Sequence, residues 1–222
     1  MNAPQAPAWF VAGTDTEVGK TFVTCALLHA FAAQGLNAVG MKPIAAGTDA
    51  DGCNEDVEQL LAAMPVKPAR ELVNPYLFAP PIAPHIAAAE AGRAIEPGPI
   101  RTAFDALRAH ADAVLVEGVG GFLVPLGPRY DAADLAQDLA LPVILVVGMR
   151  LGCINHALLT RDAIAARGLP LAGWVANRID PAMACADENL DFLRRHIPAP
   201  LLADVPHASR WPEGWQPSLF LS

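Results

Sequence analysis

The stretch Gly13-Thr14-Asp15-Thr16-Glu17-Val18-Gly19-Lys20-Thr21 constrains this chain more than any other, because it joins an apolar run to an amphipathic one. Trp9 to Ala12 is apolar, and from Thr21 onward Phe22, Cys25, Ala26, Leu28, Phe31 and Ala32 recur at helical spacing until Gly35. A strand therefore leads through a loop into a helix. At that helix N-terminus the unpaired backbone N–H groups and the positive dipole end attract phosphate oxygens, and Gly19 lets the backbone come close. The Gly-Lys-Thr ending is that of a P-loop: Lys20 would reach the β- and γ-phosphates, and the Thr21 hydroxyl would sit on magnesium. The spacing is a variant. Five residues separate Gly13 from the Gly19-Lys20 pair, so Thr14 stands where the first glycine of the usual loop would be.

A chain of 222 residues that is 53% hydrophobic is expected to form one domain, residues 1–222, around a well-covered core. Its net charge of −8 argues against a nucleic acid or an anionic membrane as the main partner, since both need a basic face. A local anion pocket remains compatible with it. Cys25, Cys53, Cys153 and Cys185 are scattered, with no Cys-x-x-Cys pair, and read as isolated thiols in a reducing compartment. Met1 to Pro7 lacks a basic region followed by an apolar run, and the densest apolar stretch, Leu139 to Met149, contains Pro142 and is too short to span a bilayer. The expectation is a cytoplasmic protein.

Ala38 to Met41 reads as a second strand that delivers Lys42 and then Pro43. Lysine is scarce here: only Lys20, Lys42 and Lys67 among fifteen basic residues. Two of the three therefore stand at strand or loop ends, where a compact ammonium suits phosphate, although an ordinary surface lysine is the alternative for Lys42. Thr48 to Asp56 is polar and turn-like, and Val57, Leu60, Leu61 and Met64 after it are helically spaced. Acids in a helix's first turn ordinarily serve the dipole. Pro65 to Pro84 reads as an ordered surface loop, and His85, opening an Ala-rich helix to Glu90, as a hydrogen-bonded structural histidine.

Ile100, Ala103, Phe104, Leu107 and Ala111 mark a helix with Pro99 in its first turn, and it feeds the all-apolar run Ala113 to Val116. Glu117 and then Gly118-Val119-Gly120-Gly121 follow at once. A carboxylate at the carboxyl end of a buried strand beside a P-loop suits magnesium, and the glycines let the chain pass close to phosphates. Pro142 to Val147 is another buried strand, Ile154, Leu158 and Ile164 belong to a helix that Gly168 closes, and Leu171 to Ala176 is a strand ending at Asn177. Such alternation predicts an α/β fold: a P-loop NTPase-like three-layer sandwich with a mostly parallel central sheet and ligands at the carboxyl strand ends. Asn177 at such an end could read a purine edge with one donor and one acceptor, or equally cap a turn.

Together, Gly13 to Thr21, Lys42-Pro43, Asn74-Pro75-Tyr76, Pro84-His85, Val116 to Gly121, Leu151-Gly152-Cys153-Ile154-Asn155-His156 and Gly173 to Asn177 resemble the dethiobiotin synthetases. The matches run in order over about four fifths of the chain. The resemblance implies an ATP- and Mg2+-dependent ligase of biotin biosynthesis that closes the ureido ring of dethiobiotin from 7,8-diaminononanoate and carbon dioxide. The route it implies runs through a carbamate and a carbamic-phosphoric anhydride.

Carried onto this chain, the resemblance makes Lys20 and Lys42 catalytic, Lys20 on the β- and γ-phosphates and Lys42 on the carbamate and the transferring phosphoryl group. Thr21, Asp56 and Glu117 would ligate magnesium. Thr16, Glu17, Val18, Gly19 and Phe22 would surround the phosphates from the loop side, and Gly118, Val119 and Gly120 from the other. Asn177 would recognise adenine, with Arg178, Pro206 and His207 at the far edge of the nucleotide. The substrate would meet Thr16, Lys42 and Ala46, and its carboxylate the loop of Leu151, Gly152, Cys153 and Asn155, a helix N-terminus suited to an anion. In the family that loop comes from a neighbouring subunit, which implies a homodimer with composite sites. Ala46 stands where a substrate-contacting serine is usual, Arg178 is atypical, and the tail from His207 to Pro212 is unlike the family's usual ending.

Two other classes share this core. P-loop switch proteins of the partition or septum-positioning kind carry an additional lysine early in the loop, where this chain has Thr14, Asp15 and Thr16, and usually a basic or membrane-seeking surface. Amidotransferases of corrin acids add a long glutaminase domain, for which 222 residues leave no room.

Overall fold

A computed structural model describes residues 5–207. The chain runs β1 (Ala8–Gly13), α1 (Lys20–Ala33), β2 (Ala38–Met41), β3 (Ile44–Ala46), α2 (Glu55–Ala63), α3 (Arg70–Val73), β4 (Tyr76–Phe78), α4 (Pro84–Glu90) and α5 (Pro97–Arg108). It continues through β5 (Ala113–Glu117), β6 (Pro125–Gly127), β7 (Tyr130–Asp131), α6 (Ala132–Asp138), β8 (Val143–Gly148), α7 (Cys153–Ala166), β9 (Leu171–Asn177), α8 (Ala186–His196) and β10 (Leu201–Val205).

Six strands form one sheet in the order β10-β9-β8-β1-β5-β2, and every pairing in it is parallel. The apolar runs explain this, because a strand covered on both faces has no polar side to alternate. All residues of β2, β5 and β8 are buried, the terminal Glu117 included. From β1 the chain leads through α1 to β2 on one side, and from β8 through α7 and α8 to β9 and β10 on the other. Right-handed crossovers leading in opposite directions lie on opposite faces, which produces the three layers. Accordingly α1 packs with α2 over the β1, β5 and β2 half, and α7 packs with α8 over β8 and β9.

This order places β1 at the switch point of the sheet, with β5 and β8 as its neighbours. A crevice opens there beyond the carboxyl ends of the strands. Around it stand the loop after β1, Lys42 after β2, Glu117 ending β5 and Asn177 ending β9.

The connector 65–84 is more structured than its proline content suggests. It holds α3 and β4, and β4 pairs in parallel with β3, Ile44 opposite Tyr76 and Ala46 opposite Phe78. His85 opens α4, but its buried Nδ1 has no hydrogen-bond partner, so the expectation of a hydrogen-bonded histidine does not hold at that atom. No described helix is long and apolar enough to cross a membrane. Met1 to Asn2-Ala3-Pro4, and the tail from Ala208 to Pro212 that departs from the family's usual ending, lie outside the described residues.

Candidate active site

The P-loop is a tight arc between β1 and α1. Thr14 N–H donates to the Val146 carbonyl at 3.0 Å, which pins the start of the loop to β8. Gly13 has no room for a side chain, since a Cβ would stand 2.8 Å from Val18 Cγ2 and 3.0 Å from Lys20 Cδ. Gly19, the N-cap of α1, sits at φ 84°, and a Cβ there would overlap the Asn177 amide. Lys20 donates from Nζ to the Asp15 carbonyl at 3.1 Å, so its stem folds back across the loop and the ammonium lies over it. Burial first, and then repulsion from Lys42, lower the Lys20 pKa to about 8, which leaves it mostly charged at neutral pH.

Four more side chains converge beside it. Lys42 Nζ donates to Glu117 Oε1 at 2.5 Å and to Asp56 Oδ2 at 2.7 Å. Thr21 Oγ1 donates to the same Glu117 Oε1 at 2.7 Å. Lys42 is 4% exposed and Glu117 is 0% exposed, so this pair lies in the interior, while the Asp56 side chain, 42% exposed, borders the cavity above it. Burial works against the Lys42 charge, but the Glu117 and Asp56 carboxylates outweigh it and raise its pKa. The same desolvation opposes the Asp56 carboxylate, and the Lys42 ammonium outweighs it, holding Asp56 below its usual range. Lys42 is thus a fixed cation.

The backbone around these residues is braced. Asn74 Nδ2 donates to the Lys42 carbonyl at 2.6 Å and to the Tyr76 carbonyl at 3.1 Å, while Lys42 N–H donates to the Val73 carbonyl. Asn54 caps α2, which carries Asp56 in its first turn, by accepting from Val57 N–H, and its Nδ2 donates to the Gly47 carbonyl at 2.7 Å. The sequence alone marks neither asparagine as a site residue. Asn54 directly before an acidic, helically spaced segment and Asn74 directly before Pro75 were the available signals.

A cavity of about 270 Å3 lies over this cluster. Thr16, Glu17, Gly19, Lys20, Thr21, Lys42, Ala46, Asp56, Val119 and Gly120 all border it, which brings most of the expected phosphate, metal and reacting-centre residues into one place. The donor set suits a hard divalent cation: two carboxylates, a hydroxyl, and a buried Glu117 Oε2 that has no hydrogen-bond partner. Magnesium fits these residues.

Asn177 and Arg178 stand at the end of β9. Asn177 Nδ2 donates to the Val18 carbonyl at 2.9 Å. Arg178 grips both Asp204 oxygens at 2.8 Å and Asp187 Oδ1 at 2.6 Å, tying β9 to β10 and α8, and its carbonyl lies 3.2 Å from His207 Nδ1. Pro206 lies between β10 and His207. Leu151, Gly152, Cys153 and Asn155 do not border the cavity over the P-loop. They form the entry to α7, with Gly152 as its N-cap at φ 95° and Leu151 92% exposed. Arg150, just before them, pairs with Asp15 of the P-loop at 2.5 Å, a contact that no sequence signal announced.

A family model described as an AAA domain matches residues 8–211. The ATP-dependent dethiobiotin synthetase BioD of Aromatoleum aromaticum is 66% identical over 94% of this chain and 93% of its own length. That of Nitrosospira multiformis is 58% identical over 90% and 88%. Among solved structures, the septum site-determining protein MinD of Pyrococcus horikoshii, complexed with Mg-ADP, superposes with a TM-score of 0.54. At 16% identity over 90% of this chain and 82% of that one, it shares the P-loop fold alone. A deviant P-loop leading into a buried lysine–carboxylate cluster, in a sequence this close to two curated enzymes, places the chain in the family of the ATP-dependent dethiobiotin synthetases.

Proposed function

We propose that this enzyme closes the ureido ring of dethiobiotin from 7,8-diaminononanoate and carbon dioxide, using ATP and Mg2+. The observation that carries the reading is the buried Lys42–Glu117–Thr21 cluster, with Asp56 on its open side, bordering the P-loop cavity. In the reaction, one amine nitrogen adds to carbon dioxide and gives up a proton, forming a carbamate. A carbamate oxygen then takes the γ-phosphoryl group of ATP, and ADP leaves. The second amine attacks the carbamoyl carbon, phosphate departs with its bonding pair, and loss of a proton completes the ring.

Each step concentrates negative charge on oxygens, so the protein's task is to hold cations and N–H donors where that charge develops. Lys20 and the α1 N-terminus take the β- and γ-phosphates, with Val18, Gly19 and Phe22 setting the arc, Thr16, Glu17, Val119 and Gly120 lining its mouth, and Gly118 packed on Phe10 just before them. Lys42 meets the carbamate and the transferring phosphoryl group, and its two carboxylate partners keep it charged. Thr21, Asp56 and Glu117 would hold Mg2+, which when bound supplies further neutralisation of phosphate charge. Asn177 takes the adenine, and Arg178, Pro206 and His207 border the ribose end.

The Leu151–Asn155 loop takes the substrate carboxylate at the N-terminus of α7, in a neighbouring subunit. Two facts support that assignment: the loop does not border its own chain's P-loop cavity, and Leu151, Leu159 and Leu123 are exposed large apolar side chains. A homodimer with composite sites accounts for both.

The test is fixation of labelled carbon dioxide into acid-stable product with ATP, Mg2+ and the diamine, alongside phosphate release with and without the diamine. Diamine-dependent fixation matched by phosphate release is the expected result. ATP turnover indifferent to the diamine, with no label fixed, overturns the reading.

A further inference from the structure

The Asn177 amide faces two ways. Its nitrogen donates to the Val18 carbonyl at 2.9 Å, across 159 residues of sequence, from a residue that is 8% exposed. A carbonyl oxygen only accepts, so this contact fixes the orientation of the amide: Nδ2 turns toward the P-loop, and Oδ1 turns away as an acceptor. Val18 is followed at once by Gly19, whose left-handed φ of 84° starts α1. The peptide group that Asn177 grips is therefore the one that sets the direction of the Gly19 N–H, at the head of the helix that carries Lys20 and Thr21. Asn177 is itself held. Its carbonyl accepts from Met149 N–H at 2.7 Å and from Ile179 N–H at 2.9 Å, so the strand end is a rigid mount. The fit is also close, because Gly19 has no space for a Cβ beside the amide.

We propose that Asn177 is a positioning residue for the P-loop. By holding the Val18–Gly19 peptide it preforms the phosphate cradle, independently of any contact with the base. This rests on the nucleotide-site reading given above and deepens it: a residue at the base end of the site determines phosphate affinity. A pure base reader acts only on ligands that have a base. A positioning residue acts on all of them, because the cradle is worse for every polyphosphate.

Inorganic tripolyphosphate separates the two, since it presents phosphates and no base. Dissociation constants for Mg2+-tripolyphosphate and Mg2+-ATP are to be measured on the full chain for wild type, N177A and the nearly isosteric N177L, with the ligand-free melting temperature as the check on folding. Loss of one structural hydrogen bond at the loop predicts about fivefold weaker tripolyphosphate binding in both variants, with ATP weakened at least as much. Tripolyphosphate binding equal to wild type in a folded variant overturns the proposal, whatever happens to ATP; a loss confined to ATP then makes Asn177 a base reader only. If one variant fails to melt cooperatively, the other decides the matter. Wild type that binds neither ligand overturns the nucleotide-site reading itself, an outcome distinct from the failure of the positioning role.

Discussion

Lys42 and Glu117 constrain each other, and their substitution separates chemistry from stability. In K42M the Glu117 carboxylate, 0% exposed, loses its ammonium partner and keeps only the Thr21 hydroxyl on Oε1. Leaving a buried charge unpaired costs about 3–5 kcal/mol, and removing a cation aimed at developing charge costs about 10²–10³-fold in kcat. The double variant K42M/E117Q removes both charges, so its melting temperature is expected to recover toward wild type while its activity stays lost. A double variant as unstable as K42M would show that the cluster is held by something other than this pair. The thiols give a second expectation. Burial first, and then the Glu117 and Asp56 carboxylates, push the Cys25 thiol up to about 12, whereas Cys185 is exposed. Iodoacetamide at pH 8 should therefore label Cys185 and spare Cys25 in the native protein. The folded state keeps the Cys25 proton where the unfolded chain, with a thiol pKa of about 8.5, gives it up. Its stabilising contribution is thus complete below that pH and is lost as pH rises toward 12, so the urea midpoint of wild type should fall more steeply between pH 9 and 11 than that of C25A.

The elements differ in how plainly the sequence announces them. β1, β2, β5, β8 and β9 are apolar runs punctuated by Gly, Pro or a polar strand-end residue, and α1, α2 and α7 begin and end within a few residues of where the sequence places them, although α7 buries Cys153, Ala157 and Ile164 and leaves Ile154 and Leu158 only partly covered. α3 has four residues and β4 three, too few for any period, and both exist because β3 pairs with β4 and Asn74 clamps the Lys42 backbone. The site divides in the same way. Lys20, Thr21 and Glu117 were legible because a P-loop and a buried strand each fix where their end falls. The contacts Lys42–Asp56, Lys42–Glu117 and Arg150–Asp15 span 14, 75 and 135 residues and depend on how strand ends register in the sheet. Strand β9 carries a separate test. Trp174 is fully buried opposite Leu145 and Leu201, yet its Nε1 has no hydrogen-bond partner. Phenylalanine removes that unpaired donor, a gain of about 1–3 kcal/mol that offsets lost packing, so W174F should unfold within about 1 kcal/mol of wild type. W174A has no such compensation for its cavity and should lose about 3–5 kcal/mol in urea unfolding.

At the scale of the whole molecule, the site is incomplete in one chain if the acid-binding loop serves a neighbour. The P-loop cavity and the entry to α7 are separate features of the protomer, with the Arg150–Asp15 pair between them. Two inactive variants can test whether they cooperate between chains. K42M loses the cation proposed for phosphoryl transfer and keeps its loop; G152V cannot hold φ 95° at the N-cap of α7 and keeps its P-loop. In a mixed dimer one composite site carries both defects, while the other joins the sound P-loop of the G152V chain to the sound loop of the K42M chain. Equal amounts, unfolded together and refolded, give half mixed dimers with one working site each, so about a quarter of wild-type activity should return. Sites formed within a single chain would return none, because every chain in the mixture carries one lesion. Mixing without refolding supplies the control, since activity should then appear only at the rate at which subunits exchange.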